Sequence, residues 1–572
     1  MSAFAATAGD LTPYAARLTR KRVWLTTAAV MTAMFMAALE GTIVSTAMPT
    51  IVGELHGIDK YVWVFTSFLV FEVATIPVWG KLADMLGRKR VFQAGMAIFV
   101  IASLLCGFST SIDQLIIFRA LQGVGAGCLF PVAQTITADL FTVEQRARIM
   151  GYFTALFGLS SVIGPFLGGY FTDSMSWRWV FWIIVPFGIL VIAVVQFVLI
   201  EPLEHRRAVS IDLAGTAAVF TFTCTLIYAL ETGGRDYEWG SPLIIGLFAV
   251  AIASVGWFLW AERRAAEPLM PLDLFSIPAM RATSVISFFL GATMMGTLSF
   301  LPLFMRTVLG TSATDAGRTL TPLMIGFMLS SFFGGRLLLR ASFRLVIGAG
   351  MVFLVIGLVL LVQLGIDSTA TQVSVNMVVL GLGMGTVLVS SNIAAQNSVG
   401  RSRMGVTMSA INFTRQIGGT IGTAAAGAVM LTALANRLAD VLPGGTNAVS
   451  GLLSPGSGAA IPPEAEEAVR VAFAGALHLA FVFCAVIGAI AVVSGFLVPR
   501  GNLHTLRHHE DDEIADDDPT LLAAEMNAVA LGADAAASLP EPVAPDVAAH
   551  DDLLPRSSAN GESPRPESTA RR

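Results

Sequence analysis

Three ionisable residues interrupt stretches that are otherwise apolar and long enough to span a lipid bilayer. Glu40 lies inside the sequence MAALEGTIVSTAMPTI, which runs from position 36 to position 51. Glu72 lies in the next apolar stretch and Arg119 in the fourth. Because a charge inside a membrane is costly, such residues are usually paired and functional. A carboxyl group in this setting can bind and release a proton, and its ionised form can attract a cation.

The depths of these residues follow from the rise of an α-helix, about 1.5 Å per residue. Glu40 comes seventeen residues after Val23, so it lies roughly 25 Å from the inner membrane face. Arg119 lies five residues from the outer end of its stretch, at a similar depth. An ion pair between Glu40 and Arg119 is therefore predicted, and snorkelling of Arg119 to the outer interface is the alternative. Glu72 lies near the midplane, where it serves either chemistry or structural pairing within the bundle.

The composition is that of a polytopic membrane protein. The chain has 572 residues, of which 55% are hydrophobic and 13% charged, whereas about 25% are charged in soluble proteins. A spanning helix needs about 20 largely apolar residues. Fourteen stretches meet this requirement, and we number them as spans 1–14: 23–49, 61–80, 91–109, 114–138, 149–171, 179–200, 213–230, 242–261, 282–305, 315–339, 344–365, 372–396, 405–432 and 471–498.

Loop cations predict the orientation of the spans. With the N-terminus in the cytoplasm, twenty Lys and Arg residues fall in cytoplasmic loops and seven in outer loops. This bias places both termini inside. The first apolar run is too long for a signal-peptide core, so we expect it to remain as span 1. The predicted location is the inner (cytoplasmic) cell membrane.

Several other classes of protein are disfavoured by the same sequence. There is no basic stripe with interleaved aromatic residues, so nucleic acid is not an expected partner. Four cysteines fall inside apolar segments without CxxC spacing, so neither a disulfide framework nor a metal site is expected. There is also no nucleotide-binding GxxxxGK[ST] pattern, and we expect no cofactor and no enzymatic activity.

An internal repeat predicts the domain organisation. The stretch GKLADMLGRKR after span 2 resembles GRLLLRASFRL after span 10, as in transporters built from repeated halves. The predicted fold is all-α, with two six-helix bundles and two inserted central helices. The predicted domains are a cytoplasmic N-terminus (1–22), an N-terminal bundle (23–200), the inserted helices 7 and 8 (201–281), a C-terminal bundle (282–500) and a disordered acidic cytoplasmic tail (501–572).

Two motifs combine glycine with polar residues at fixed spacing. The loop between spans 2 and 3 carries Gly80, Asp84, Gly87, Arg88 and Lys89. Its glycines would permit a tight inner turn, and its charges could lock a cytoplasmic gate. Span 5 carries small residues on one helix face, which allow another helix to approach closely, together with a proline. The members of this span 5 motif are Gly151, Ser160, Gly164, Pro165, Gly168 and Gly169.

These motifs, with Arg119-x-x-Gln122-Gly123-x-Gly125 in span 4 and Leu39–Pro49 in span 1, resemble a known family. They are similar to major facilitator superfamily transporters of the fourteen-spanner drug:proton antiporter type (EmrB/QacA-like). Four positions depart from the pattern of that family: Met85 replaces a cation, Ser160 a glycine, Glu40 the usual aspartate and Ser45 the usual asparagine.

The resemblance implies roles for the motif residues. The loop 2–3 motif would gate the cytoplasmic side, the span 5 motif is associated with export, and the arginine matching Arg119 is implicated in proton movement. Burial favours the neutral form of a carboxyl group and a nearby arginine favours the ionised form. We therefore expect Glu40 to carry proton coupling, tuned by Arg119, with Glu72 contributing to coupling or cation recognition. Arg415 in span 13 is either a second-half counterpart of Arg119 or a cation that reaches the cytoplasmic face.

The expected function is proton-driven export of lipophilic, often cationic drugs by alternating access, in a protein that acts as a monomer. Flexible and aromatic side chains suit a promiscuous pocket, and the candidates for substrate contact are Met36, Phe68, Gln122 and Asn412. An exporter of a dedicated lipid, siderophore or metabolite is the alternative. A transport-dead membrane sensor is a third interpretation, from another class.

Overall fold

The structure is a computed structural model that describes residues 18–57, 60–199, 212–234, 237–311, 320–338, 340–438, 466–495 and 498. Within these ranges almost every residue is helical. The helices that we number are α1 (Arg20–Leu55), α2 (Tyr61–Leu86), α3 (Arg88–Gly107), α4 (Ile112–Leu140), α5 (Val143–Ser174), α6 (Ile184–Val198), α7 (Leu213–Thr232), α8 (Pro242–Glu262), α9 (Pro278–Thr307), α10 (Leu320–Leu337), α11 (Phe343–Val362), α12 (Ala370–Gln396), α13 (Met404–Leu438) and α14 (Glu466–Gly495). Short helical turns at Trp179–Trp182, Leu272–Ser276 and Arg401–Arg403 connect some of them.

Small polar residues mark where several of these helices begin. The side chains of Ser111, Asp212, Ser241, Ser342 and Thr369 each accept a hydrogen bond from a backbone N–H in the first turn of the helix that follows. Each bond satisfies one N–H group that has no partner inside the helix. These polar residues therefore fix the positions at which the apolar stretches start as helices.

Thirteen of the described helices are long and apolar enough to cross a membrane. The remaining predicted span, 315–339, corresponds to α10, whose eighteen residues Leu320–Leu337 are described while residues 312–319 are not. No strand occurs in the described ranges, where pairing between extended residues is limited to one bridge between Gly233 and Tyr237. The prediction of an all-α membrane fold is confirmed.

Helix packing repeats with an offset of eight helices. In the first half α2 and α3 pack on α4, α1 packs on α5, and α1 and α3 pack on α6. In the second half α10 and α11 pack on α12, α9 packs on α13, and α9 and α11 pack on α14. The inserted helices α7 and α8 pack on each other, and α7 also contacts α2 and α13. Because α13 corresponds to α5 rather than to α4, Arg415 is not the counterpart of Arg119.

The two halves meet through two equivalent pairs of helices, since α5 packs on α10 and α13 packs on α2. Smaller contacts join α4 to α13 and α5 to α12. The predicted N-terminal segment falls mostly outside the described residues, as does the whole tail 501–572. The predicted boundaries of the domains therefore remain predictions.

Ion pairs show which loops share an end of the bundle. Lys60 pairs with Asp113 at 2.7 Å, and Glu54 pairs with Arg178 at 2.7 Å. These residues flank α1, α2, α4 and α6, and we call this the outer end. The opposite end, where α2 is followed by α3, is the inner end. It carries the loop cations that predict the cytoplasmic face.

Candidate functional site

Glu40 and Arg119 form an ion pair between α1 and α4 in the outer half of the bundle. Their side chains are 0% and 1% exposed. The guanidinium of Arg119 also donates to Gln122 Oε1 at 2.7 Å and to the backbone oxygen of Val64 at 3.2 Å. The predicted ion pair is therefore present, and the alternative of Arg119 snorkelling to the outer interface is wrong.

Neighbouring side chains hold this pair in place. Gln122 donates through Nε2 to Ser103 Oγ at 2.8 Å, and the ring of Phe68 lies 4.2 Å from the guanidinium carbon of Arg119. Such a contact adds a cation–π attraction to the buried guanidinium. The second carboxylate oxygen of Glu40, Oε2, is buried and has no hydrogen-bond partner among the described residues. That oxygen is a place where a proton can be held.

Glu72 is the second acid inside a membrane-spanning helix, and its environment differs from that of Glu40. It lies near the middle of α2 and is only partly buried. No described residue makes a hydrogen bond or an ion pair with its carboxylate, yet the charges of Arg119, Glu40 and Arg415 act on it. Glu72 is thus a partly buried acid that is influenced by the charges of the enclosed Glu40–Arg119 pair.

The predicted substrate contacts occupy different environments. Met36 is 2% exposed in the apolar core, and a Cβ added to Gly188 of α6 would lie 3.5 Å from its methyl carbon. Gln122 is fully buried in the network around Arg119, whereas Phe68 is partly buried. Asn412 is 1% exposed and hydrogen-bonded. Met36, Gln122 and Asn412 are enclosed in this conformation, so their contact with substrate stays a prediction for another conformation.

The loop 2–3 motif closes the inner end by joining the two halves. Both oxygens of the Asp84 carboxylate accept a hydrogen bond, from the backbone N–H groups of Gly405 and Val406 at 2.8 Å each. These are N–H groups of the first turn of α13, a position that favours an anion. Arg88 lies 3.7 Å from Asp84 and 3.2 Å from Asp139 on α4. The motif therefore binds across the interface between α2 and α13.

The two glycines of this motif have different roles. Gly80 is inside α2 rather than in the predicted turn, and a Cβ at this position would lie 2.1 Å from Ser409 Oγ of α13. Its small size permits the close approach of the two halves. Gly87 forms the turn itself, with a φ of +94° that favours glycine. Lys89 donates to the backbone oxygen of Gln196 at 2.7 Å, so it stays within the first half.

Two further cations make contacts at the inner end, Arg146 with the second half and Lys81 with the inserted segment. Arg146 is 4% exposed and donates to Asn397 Oδ1 at 3.4 Å and to the Ala138 backbone oxygen at 2.6 Å. Lys81 pairs with Glu267 at 2.7 Å. Nothing in their spacing distinguishes them from other loop cations, because their partners are far away in the chain. The described conformation is closed at the inner end.

The small residues of the span 5 motif face α1. A Cβ on Gly164 would lie 2.0 Å from Thr42 Oγ1, and one on Gly168 would lie 2.8 Å from the backbone oxygen of Ile43. Thr42 Oγ1 also donates to the backbone oxygen of Ser160 at 3.1 Å. The predicted close approach of a second helix is confirmed, and that helix is the one that carries Glu40.

The remaining members of the motif do not belong to this interface. Gly151 faces α10, where an added Cβ would lie 3.5 Å from Phe332. Pro165 is exposed on α5, and a Cβ on Gly169 would have nothing within 4 Å. The motif therefore divides into an α1-facing set and residues that point elsewhere.

Two repeated helical halves, with charged residues buried near their interface, define a secondary membrane transporter. The profile of the Major Facilitator Superfamily matches residues 30–423. The chain belongs to this superfamily, and it is a multi-pass membrane transporter rather than an enzyme.

Similar proteins have been named in bacteria. The multidrug transporter protein MdtP of Bacillus subtilis is 40% identical over 422 residues, which cover 74% of this chain and 78% of MdtP. Multidrug resistance protein 3 of the same organism is 40% identical over 412 residues, with 72% and 80% covered. The solved structure of the proton:xylose symporter XylE bound to a glucose analogue shares the fold, with a TM-score of 0.58, 10% identity and coverage of 85% and 99%.

Proposed function

We propose that the protein exports lipophilic, often cationic drugs in exchange for protons. The observation that carries the proposal is the buried Glu40–Arg119 pair, in which one carboxylate oxygen lacks a partner among the described residues. The partly buried acid Glu72 lies on α2. Two relatives at 40% identity that are named for multidrug transport support the substrate class.

The chemistry follows from the competition between two acids for one arginine. When Glu40 is ionised, Arg119 pairs with it. A proton on Glu40 removes that charge and leaves Arg119 to interact with Glu72, whose carboxylate it already influences. A buried charge without a partner is strongly unfavourable. The protonation state of Glu40 therefore decides whether Arg119 pairs with Glu40 or with Glu72. A cationic substrate at Glu72 would compete with Arg119 for the same carboxylate.

Because the inner end is closed, the site can exchange protons and substrate only with the outer side in this conformation. The bonds of Asp84 to the start of α13 and of Arg146 to Asn397 hold the halves together at that end. Lys81 pairs there with Glu267 of the inserted segment. A transporter in this state exchanges protons and substrate at its outer end. Breaking these bonds would open the site toward the other side of the membrane.

We place the protein in the cytoplasmic membrane with both termini inside, in accordance with the loop cations. The ion gradient is its energy source, no cofactor takes part, and a monomer suffices because both halves of the site belong to one chain. The span 5 motif supports export as the direction of net transport.

The test is accumulation of a cationic dye in inside-out membrane vesicles with an acidic interior. We expect wild-type vesicles to accumulate the dye, a protonophore to abolish the accumulation, and Glu40→Gln to abolish it without loss of protein from the membrane. The matched control is Glu54→Gln, which removes an acid from the outer end of the same helix, where its side chain is 49% exposed.

Two outcomes would contradict the proposal. Full gradient-driven accumulation by the Glu40→Gln variant would show that Glu40 does not carry the proton. Accumulation that persists with a protonophore present would show that a proton gradient is not the energy source.

A further inference from the structure

Arg415 lies on α13, which packs on α2 and α4 of the other half, and only part of its guanidinium is hydrogen-bonded. Its Nη2 donates to Asn412 Oδ1, one turn earlier on the same helix. Its Nη1 is buried and has no hydrogen-bond partner among the described residues. A guanidinium normally uses most of its five N–H groups, so Arg415 has capacity for a further acceptor.

The residue that Arg415 holds connects the two halves. Asn412 donates through Nδ2 to Gln134 Oε1 of α4 at 3.0 Å. Asn412 and Gln134 are 1% and 5% exposed, so separating them leaves buried polar groups without partners, at a cost of about 1–3 kcal/mol each. The bond of Arg415 to Asn412 Oδ1 fixes which way the amide faces, because the Nδ2 end is then directed at Gln134.

Glu72 lies across the interface from Arg415. Val73, the residue after Glu72, packs in one buried cluster with Ile417 of α13, two residues from Arg415. The two charges are close enough to act on each other, although the described residues contain no ion pair between them. The other charges that act on Glu72 are Arg119 from α4 and Glu40 from α1. Among the other helices packed on α2, α3 has its cations at the inner end and α7 has a single charged residue, Glu231, at the outer end.

We propose that Arg415 is a positioning residue that ties the charge of Glu72 to closure of the inner end. Ionised Glu72 attracts Arg415 across the interface, and Arg415 in turn keeps Asn412 bonded to Gln134. Neutral Glu72 exerts no such attraction, and the halves separate more readily at the inner end. This inference rests on the proposed coupling role of Glu72 and adds the means by which the second half responds.

The device solves a problem that every antiporter has. An empty antiporter that is closed at its inner end must stay closed until it binds a proton. If it opened to the inside with no proton bound, substrate export would not be coupled to proton entry. Attraction between Glu72 and Arg415 stabilises the closed state while Glu72 is ionised and empty. The closed fraction should therefore fall as the pH falls and Glu72 takes up a proton.

The experiment measures the separation of the inner ends by double electron–electron resonance, with spin labels at the exposed positions Arg90 and Ser402. For the wild type we expect the ratio of closed to open protein to decrease from high to low pH. At high pH, Glu72→Gln and Arg415→Gln should each lower that ratio by roughly five- to thirtyfold, and each should remove most of its pH dependence. Arg415→Lys keeps the charge and should retain the pH dependence.

The variants also test whether the two residues act together. In the Glu72→Gln/Arg415→Gln double variant the second change should have little further effect, because the attraction is already lost. As a control, Asp84→Asn should lower the closed fraction wherever Asp84 is ionised in the wild type, and it should leave the pH dependence due to Glu72 in place. Additive effects of the two changes, or Arg415→Lys behaving like Arg415→Gln, would overturn the proposal.

This readout is independent of transport. If Glu40→Gln vesicles transport normally while closure still follows Glu72 and Arg415, the assignment of Glu40 fails and the present inference stands. If Glu40→Gln abolishes transport while closure of Arg415→Gln has the pH profile of the wild type, the assignment of Glu40 stands and the present inference fails. Glu72→Gln is nearly isosteric and lies on a different helix from Arg415, so loss of folding in an Arg415 variant leaves the Glu72 profile to decide.

Discussion

At the scale of single residues, the site contains one acid that is enclosed and paired, and a second acid whose carboxylate has no bonded partner among the described residues. Glu40 is fully enclosed and bonded to Arg119, which is itself held by Gln122 and the backbone of Val64. Glu72 is partly buried and influences the same arginine only through its charge. One arginine is thus influenced by the charges of both acids, and the proposed competition between a proton and a cationic substrate depends on this arrangement.

The cost of the buried pair can be measured by removing one partner. Arg119→Met leaves Glu40 as an uncompensated charge in an enclosed site, and we expect stability to fall by about 3–5 kcal/mol. Adding Glu40→Gln to this variant removes the charge and should restore a large part of the loss. Thermal unfolding in detergent measures both changes. A double variant as unstable as Arg119→Met alone would mean that packing, and not the charge, is responsible.

At the scale of helices, close packing depends on a few positions without side chains. The face of α5 formed by Ser160, Gly164 and Gly168 lets α1 approach, and Thr42 of α1 bonds to the α5 backbone there. Because Glu40 is on the same helix as Thr42, the packing of α5 sets where the Glu40 carboxylate lies. A packing motif thereby contributes to the chemistry two residues away.

This packing gives a matched pair of substitutions. Gly164→Ala places a methyl group 2.0 Å from Thr42 Oγ1 and 3.2 Å from the Ile43 backbone nitrogen, so we expect a loss of about 1–3 kcal/mol in stability together with reduced transport. Gly169→Ala meets nothing within 4 Å and should be neutral or stabilising by up to about 1 kcal/mol. Thermal unfolding and dye transport measure both variants. Equal behaviour of the two would contradict the assigned α1–α5 interface.

At the scale of the whole molecule, several contacts between distant parts of the chain close the inner end. Asp84 bonds to the start of α13, Arg146 reaches Asn397, and Lys81 reaches Glu267. Each contact joins residues more than 150 positions apart in the chain. Opening therefore requires several weak contacts to break together, which makes it a switch between two states.

The largest single contribution to closure is expected from Asp84, because its charge faces the N-terminus of a helix. Replacing it with asparagine removes that charge at nearly constant shape. We expect Asp84→Asn to weaken closure by about 1–2 kcal/mol, a change of about 5–30-fold in the ratio of closed to open protein. Spin labels at positions 90 and 402 measure this ratio. No increase in the open population would show that the bonds to α13 are not what holds the inner end.

The fold could be predicted to a large extent from the sequence. Apolar length and loop cations gave the helices and their alternation, because both properties depend only on local composition. The pairing of Glu40 with Arg119 was also predictable, since depth along a rigid helix follows from counting residues. The environment of Glu72 was not, because exposure depends on helices that are distant in the sequence.

The sequence by itself determined which segments are helices, the depth of each buried charge and the motifs that mark the superfamily. Only the tertiary structure decided that Gly80 faces α13 rather than forming a turn, that Asn412 is bonded across to Gln134, and that Arg415 belongs to the equivalent of α5. The physical reason is the same in each case. Local sequence fixes a position along a helix, whereas the partner of that position is fixed by how whole helices pack.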